Sequence, residues 1–188
     1  MADRAAILAD LAQEISACYR CALAETRNVA VPGEGPIHAA IMFIGEGPGE
    51  QEDRTGRPFV GAAGQLLDRL LVRAGLSRPD VYITNVVKCR PPGNRDPQPP
   101  EVAACRPYLE AQIALITPQV ICLLGKPATH ALLSPTASMA KVHGVPQEVE
   151  GIIYVPLYHP AAALHQPSLE AVLVQDMERL KQFLGSRD

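Results

Sequence analysis

The sequence predicts an α/β fold: a single three-layer domain whose four-stranded parallel sheet is flanked by helices. Three observations lead there. Short, largely apolar runs alternate with longer stretches of helical spacing. The first run, Ala39–Ile44, is apolar throughout, as expected of a strand in a sheet covered on both faces. No fixed-period repeat interrupts the alternation, and strand and helix alternating in this way imply a parallel sheet with helices on both sides.

The elements follow in order. Asp3 reads as the cap of a first helix, with Ile7, Leu8, Leu11 and Ile15 at helical spacing up to Ala17. A loop holding Cys18 and Cys21 leads to the first strand, Ala39–Ile44, which ends in Gly45-Glu46-Gly47-Pro48-Gly49 and a polar loop reaching Pro58. Leu66, Leu67, Leu70, Leu71 and Ala74 form one apolar helix face, and Gly75 stands where a C-terminal cap glycine belongs. Val81–Val87 is the second strand, followed by a proline-rich loop from Pro91 to Pro100. The sequence from Glu101 to Ile116 is expected to be helical, with Val102, Leu109, Ile113 and Ile116 inward. Val120–Leu124 is the third strand, and Pro127 opens a short helix. Ile152–Leu157 is the fourth strand. Ser168 caps a last helix that buries Val172, Leu173, Met177, Leu180 and Phe183 before Gly185.

With 188 residues, 47% of them hydrophobic, the chain can bury the core of one domain, residues 1–188. No apolar run approaches the ~20 residues of a membrane span, and the first 17 residues lack the apolar centre of a signal peptide. A cytoplasmic monomer without membrane contact is expected. The net charge of −3 does not announce a nucleic-acid binder. A basic patch would have to be local: Lys88, Arg90, Arg95 and Arg106, with Arg54 and Arg57 in another loop. Charge alone reads these as a solvated surface.

The chemistry-bearing residues stand in a pattern. In parallel sheets ligands bind beyond the carboxyl ends of the strands, and Glu46, Asn85 and His159 follow strands one, two and four. Taken singly, His159 and Asn85 also read as structural residues, and Phe59 as a plug holding its loop down. The glycine-rich turn fails the dinucleotide pattern, because Glu50 stands where the third glycine belongs and Pro48 removes an amide. A tight turn bringing backbone amides and a carboxylate to a neutral base or sugar fits better. Five cysteines in a cytosolic chain argue against disulfides. Four of them, Cys18-x2-Cys21 and Cys89-x15-Cys105, can hold a zinc ion or an iron–sulfur cluster, and spacing does not choose. Cys122 lies inside an apolar strand and reads as a buried thiol.

Together these segments resemble the family-4 uracil-DNA glycosylases. The resemblance rests on Gly45-Glu46-Gly47-Pro48-Gly49, on Gly56-Arg57-Pro58-Phe59-Val60-Gly61 after Glu52-Asp53, on Tyr82-Ile83-Thr84-Asn85, on Lys88-Cys89-Arg90-Pro91-Pro92 and on His159-Pro160-Ala161. It implies a [4Fe–4S] cluster on Cys18, Cys21, Cys89 and Cys105. It also implies that Asn85 reads the uracil edge, Phe59 stacks on the flipped base and His159 bonds uracil O2. Glu46 and Gly47 join His159 as catalytic residues, and Glu52 is an acidic residue near the base. The implied substrate is uracil-containing DNA, single- or double-stranded. Rival expectations are a glycosylase for hypoxanthine or xanthine and a non-catalytic iron–sulfur DNA-binding module. Two departures bear on DNA affinity: His143-Gly144 replaces the family's Arg-Gly, and the wedge after His159 is reduced to Leu164.

Overall fold

The computed structural model describes residues 3–184. Its elements are, in order, α1 (Arg4–Ser16), α2 (Leu23–Thr26), β1 (Ile41–Gly45), α3 (Glu50–Thr55), α4 (Ala62–Arg73), β2 (Tyr82–Asn85), α5 (Pro99–Ile116), β3 (Val120–Leu124), α6 (Lys126–Leu132), α7 (Met139–Val142), β4 (Gln147–Val149), β5 (Ile152–Leu157), α8 (Pro160–His165) and α9 (Ser168–Leu184). Single 3-10 turns at Arg78–Asp80 and Pro92–Asn94 punctuate the loops.

The strands run β2-β1-β3-β5-β4 across one sheet. β2, β1, β3 and β5 are mutually parallel, and β4 pairs antiparallel with β5. The four-stranded expectation is therefore corrected to five. β4 escapes a hydrophobicity reading because Gln147-Glu148-Val149 is a short, largely exposed edge. The hairpin turn that joins it to β5 is Glu150-Gly151, both at positive φ (51° and 81°). Such a turn is usually signalled by Asn or Asp at its first position, and glutamate there hides it.

Alternate residues of the parallel strands feed two cores. Ile41 and Phe43 of β1 point to one side with Leu66, Leu67, Leu70 and Leu71 of α4 and Leu173 and Met177 of α9. Met42 and Ile44 point to the other, with Ile15 of α1 and Tyr108, Leu109 and Ile116 of α5. Three layers result, with β1 and β3 buried along their whole length.

The end signals performed unevenly. The Asp3 carboxylate accepts from the Ala5 amide at 3.0 Å, and Gly75 adopts φ 69° after α4. Ser168 is the first residue of α9, so it does not cap it, and the expected stop at Gly185 lies outside the described residues. α5 begins two residues before Glu101, because Pro99 and Pro100 occupy the first-turn positions that proline favours. Among the described residues no helix is long and apolar enough to cross a membrane.

Candidate active site

The order β2-β1-β3 means the chain leaves β1 toward one side to make β2 and later crosses to the other to make β3. Between β1 and β3 the carboxyl ends of the strands open into a crevice, where α/β sheets bind ligands. A cavity of about 340 Å³ lies there. Its wall includes Glu46 and Gly47 just past β1, Glu52 of α3, Phe59 before α4, Asn85 at the end of β2, and His159 at the N-cap of α8. All six pocket residues singled out from the sequence thus meet in one place.

Asn85 is 1% exposed, and its side-chain oxygen is buried without a hydrogen-bond partner among the described residues. Leaving a buried acceptor unpaired is costly, so the atom is set up for a donor that arrives with a ligand. Gly45 keeps the space around it free: a Cβ there would stand 2.5 Å from both the Asn85 oxygen and Phe59 Cζ.

Phe59 occupies a left-handed conformation (φ 50°) that a bulky residue rarely adopts. Its neighbours over-determine it. Arg78 donates to the Phe59 carbonyl at 2.9 Å, also bonds the Pro58 carbonyl, and is anchored by Glu34 at 2.6 Å and Asp68 at 3.0 Å. Gly64 leaves room for that carbonyl, because a Cβ would come within 1.8 Å of it. The Phe59 ring stacks on the His159 ring with centroids 5.6 Å apart at 28°. Arg78 carries no motif signal and was missed by sequence reasoning.

The Glu52 carboxylate lines the cavity, but its oxygens are taken. One accepts from the amides of Val60 and Gly61, both at 2.8 Å, and the other from Gly49 at 3.1 Å. Glu52 therefore staples the glycine-rich turn to the loop carrying Phe59. Glu46 differs: no hydrogen bond or ion pair holds its carboxyl among the described residues. Burial, with Asp96 nearby, pushes its pKa up to about 7.

His159 accepts the Ala161 amide at Nδ1, 3.0 Å away. Accepting there requires that Nδ1 carry no proton, so in the neutral ring the proton sits on Nε2. Burial lowers the pKa to about 4 against the opposing influence of Glu52, so the ring is neutral at physiological pH. The site contains a neutral N–H donor whose tautomer is set by the backbone.

The cavity wall also includes Ala63, Pro91, Asn94 and Arg95. The last three come from the proline-rich loop between Cys89 and Cys105, where Asn94 sits at φ 56°. Asn94 had no sequence signal beyond the loop itself, because a side chain's aim from a turn depends on backbone dihedrals.

A second, small cavity lies on the opposite side of β2 from the Phe59 loop. Cys18, Cys21, Cys89 and Cys105 all line it, with Arg20, Arg27 and Lys88. The Arg20 amide approaches Cys18 Sγ at 3.4 Å, and Arg27 donates to Cys89 Sγ at 3.3 Å. Among the described residues no group of three or more His, Cys, Asp or Glu is arranged to hold a metal ion. Cys122 is fully buried inside β3, away from both cavities, as its apolar setting suggested.

The candidate basic residues, which charge alone reads as a solvated surface, are disposed differently from one another. Lys88 is 1% exposed, pointing inward from a segment pinned to the end of β1. Burial pushes its pKa down to about 7, with the Cys105 thiol acting the other way. Arg54 pairs with Glu50, Arg57 with Glu34, Arg95 with Glu101 and Arg106 with Glu110. Carboxylates neutralise these cations because each stands beside an acidic residue in the fold, which summed charge does not reveal.

Comparison with known proteins shows the family. A family model described as the uracil DNA glycosylase superfamily matches residues 32–181. The type-4 uracil-DNA glycosylase of Saccharolobus solfataricus is 48% identical over 186 residues, covering 94% of this chain and 86% of that protein. The chain belongs to the type-4 uracil-DNA glycosylases. A second type-4 glycosylase, from Thermotoga maritima, is 44% identical and covers 98% of both chains. By contrast, the type-5 uracil-DNA glycosylase of Thermus thermophilus aligns with 55% of this chain at 40% identity. The type-4 likeness thus spans the whole fold, including both halves of the cysteine set.

Proposed function

We propose that this protein is a DNA-repair glycosylase that hydrolyses the N-glycosidic bond of uracil flipped out of DNA, leaving an abasic site. The observation that carries the reading is the meeting, in one cavity, of an unpartnered buried Asn85 oxygen and a neutral His159 with its proton on Nε2. Uracil offers an N3–H donor beside an O4 acceptor. The Asn85 amide meets both, its oxygen accepting from N3–H and its nitrogen donating to O4. The base must leave the duplex to be reached, at a cost of a few kcal/mol. Stacking on Phe59 returns ~1–3 kcal/mol of that.

When the bond between uracil N1 and C1′ breaks, the electron pair stays on the base. Negative charge grows on O2, and the sugar approaches an oxocarbenium ion. A neutral His159 N–H at O2 stabilises that charge without itself having to lose or gain a proton, a contribution of ~2.7–4 kcal/mol for one such donor. Glu46, whose carboxyl has no partner among the described residues, accepts a proton from the water that adds to C1′. Gly47 keeps this turn close to the strand ends, because a Cβ there would meet Val87 at 2.8 Å. Glu52 acts through the loop it holds.

The same proposal places a [4Fe–4S] cluster on Cys18, Cys21, Cys89 and Cys105. Four thiols around one cavity, with an arginine and an amide directed at their sulfurs, suit anionic thiolates. A cluster is chosen over a single zinc ion on the resemblance to the family, since four thiols suit either. Bound there, it supplies a covalent cross-link between the loop after α1 and the loop that walls the active site. The chain is taken to act as one domain and as a monomer, since its own helices cover both sheet faces.

The test is direct. Purified protein is incubated with oligonucleotides carrying uracil, hypoxanthine, xanthine or thymine, and abasic sites are scored. Cleavage of uracil in preference to the rest is expected. Hypoxanthine also offers an N–H beside a carbonyl, so preferential release of hypoxanthine would reassign the substrate, and no release from any strand would refute the enzyme reading.

A further inference from the structure

Lys88 stands between the two cavities. Its ammonium is fully buried, and its three hydrogens go to Thr84 Oγ1 at 2.5 Å, Gln112 Oε1 at 2.7 Å and the Asn85 carbonyl at 2.8 Å. All three acceptors are neutral, and no carboxylate pairs with it among the described residues. Burying a charge with dipoles alone is strongly unfavourable, and interiors normally supply an opposite charge. The side chain lines the cysteine cavity, and the Lys88 backbone amide donates to the Cys105 thiol. The nearest candidates for negative charge are therefore the four thiolates.

We propose that Lys88 is the internal counter-ion of the thiolate-bound centre. By holding the Asn85 carbonyl, it also acts as a positioning residue that ties that charge to the base-reading amide. This rests on the cluster reading above. Four thiolates on an iron–sulfur core leave a net negative charge. Arg27 and Arg20 offset it from the rim, where water screens them, while Lys88 acts from the dry side, where a charge is felt more strongly. The link to the pocket is short. Asn85 closes β2, the Val86 and Val87 amides donate to the carbonyls of Gly45 and Glu46 at 2.9 and 3.1 Å, and the chain then turns back so that Lys88 reaches Asn85. The same few residues hold the Asn85 side chain in the active site and carry Cys89.

The test uses the iron-loaded protein and two variants. Lys88→Met removes the charge and keeps most of the volume. Gln112→Glu keeps the lysine and gives its ammonium a rival anion at the 2.7 Å position. Reduction adds negative charge to the cluster, so a neighbouring cation favours the reduced form. Both variants should therefore shift the cluster's midpoint potential downward and speed iron loss to a chelator. Lys88→Met should also slow single-turnover uracil release about tenfold, the scale of one buried hydrogen bond lost, with DNA binding unchanged. If Lys88→Met does not yield folded protein, the potential of Gln112→Glu decides. An unchanged potential in either folded, iron-loaded variant overturns the inference. Absence of iron from the wild-type protein would instead remove the cluster reading itself.

Discussion

Replacing Glu46 with glutamine separates the chemistry of the carboxyl from its shape. The native group is half-buried, has no hydrogen-bond or ion-pair partner among the described residues, and its pKa is raised to about 7 by burial and by Asp96. If the carboxylate accepts a proton from the attacking water, the rate follows the ionised fraction. Below pH 7 single-turnover release of uracil should fall about tenfold per pH unit, with a plateau above. His159 adds no limb in this range, because its pKa is lowered to about 4. Glu46→Gln should lower the plateau ~10²–10⁴-fold, the usual contribution of a general base, and should flatten the profile between pH 5 and 8. The same shift has a stability signature. The native carboxyl holds its proton up to about pH 7 and the unfolded one only to about 4.5. The folded state therefore binds more protons between those values, and wild-type stability falls as pH rises through that window. That difference would correspond to ~3 kcal/mol for a fully buried group; solvent screening of a half-exposed one reduces this to about 1–2 kcal/mol. Glu46→Gln should not show the fall. The assay is quenched single-turnover cleavage of a uracil-containing single strand from pH 5 to 9, paired with urea titrations at pH 5 and 8. A wild-type profile flat through pH 6, or a limb near 7 that survives in the glutamine variant, would refute the assignment.

Asn85→Asp keeps the side-chain shape and changes its hydrogen-bonding pattern. Uracil release should fall by the ~1–3 kcal/mol of a lost bidentate base contact, with weak release of cytosine from single strands appearing at acidic pH; uracil release at the wild-type rate would move base reading elsewhere. Gly45→Ala should abolish most activity while the domain stays folded, because its Cβ would enter the 2.5 Å space before Asn85 and Phe59. Circular dichroism alongside the cleavage assay separates the two effects, and full activity would mean the pocket is looser than the geometry requires. Cys89→Ala should lose iron and much of its stability together, since metal-binding energy is partly folding energy. Cys122→Ala should keep its iron, because that thiol faces the core between β3 and its neighbours; iron analysis by absorbance and mass spectrometry checks both.

Local pattern and tertiary placement contributed different things. The strands β1 and β3 could be read from continuous apolar runs, and β2 and β5 from largely apolar ones, since being covered on both faces favours that composition whatever the rest of the chain does. Residues at strand exits could be read for the same reason: the parallel topology directs them to one edge of the sheet, so Glu46, Asn85 and His159 pointed to a site before any geometry was known. The cysteine spacing named four potential ligands. Sequence could not say that Glu52 has both oxygens occupied by backbone amides, or that Arg78 grips Phe59 from 19 residues away. Nor could it say that Lys88 points inward while the arginines near it are neutralised by carboxylates. Each depends on which chain segments meet. Periodicity reports how a residue faces its own element, whereas charge state, tautomer and hydrogen-bond partners are set by the folded surroundings of the residue. His159 shows the division: its position after a strand marked it as a candidate, but the Ala161 amide and the burial of the ring decide where its proton sits and that it stays neutral.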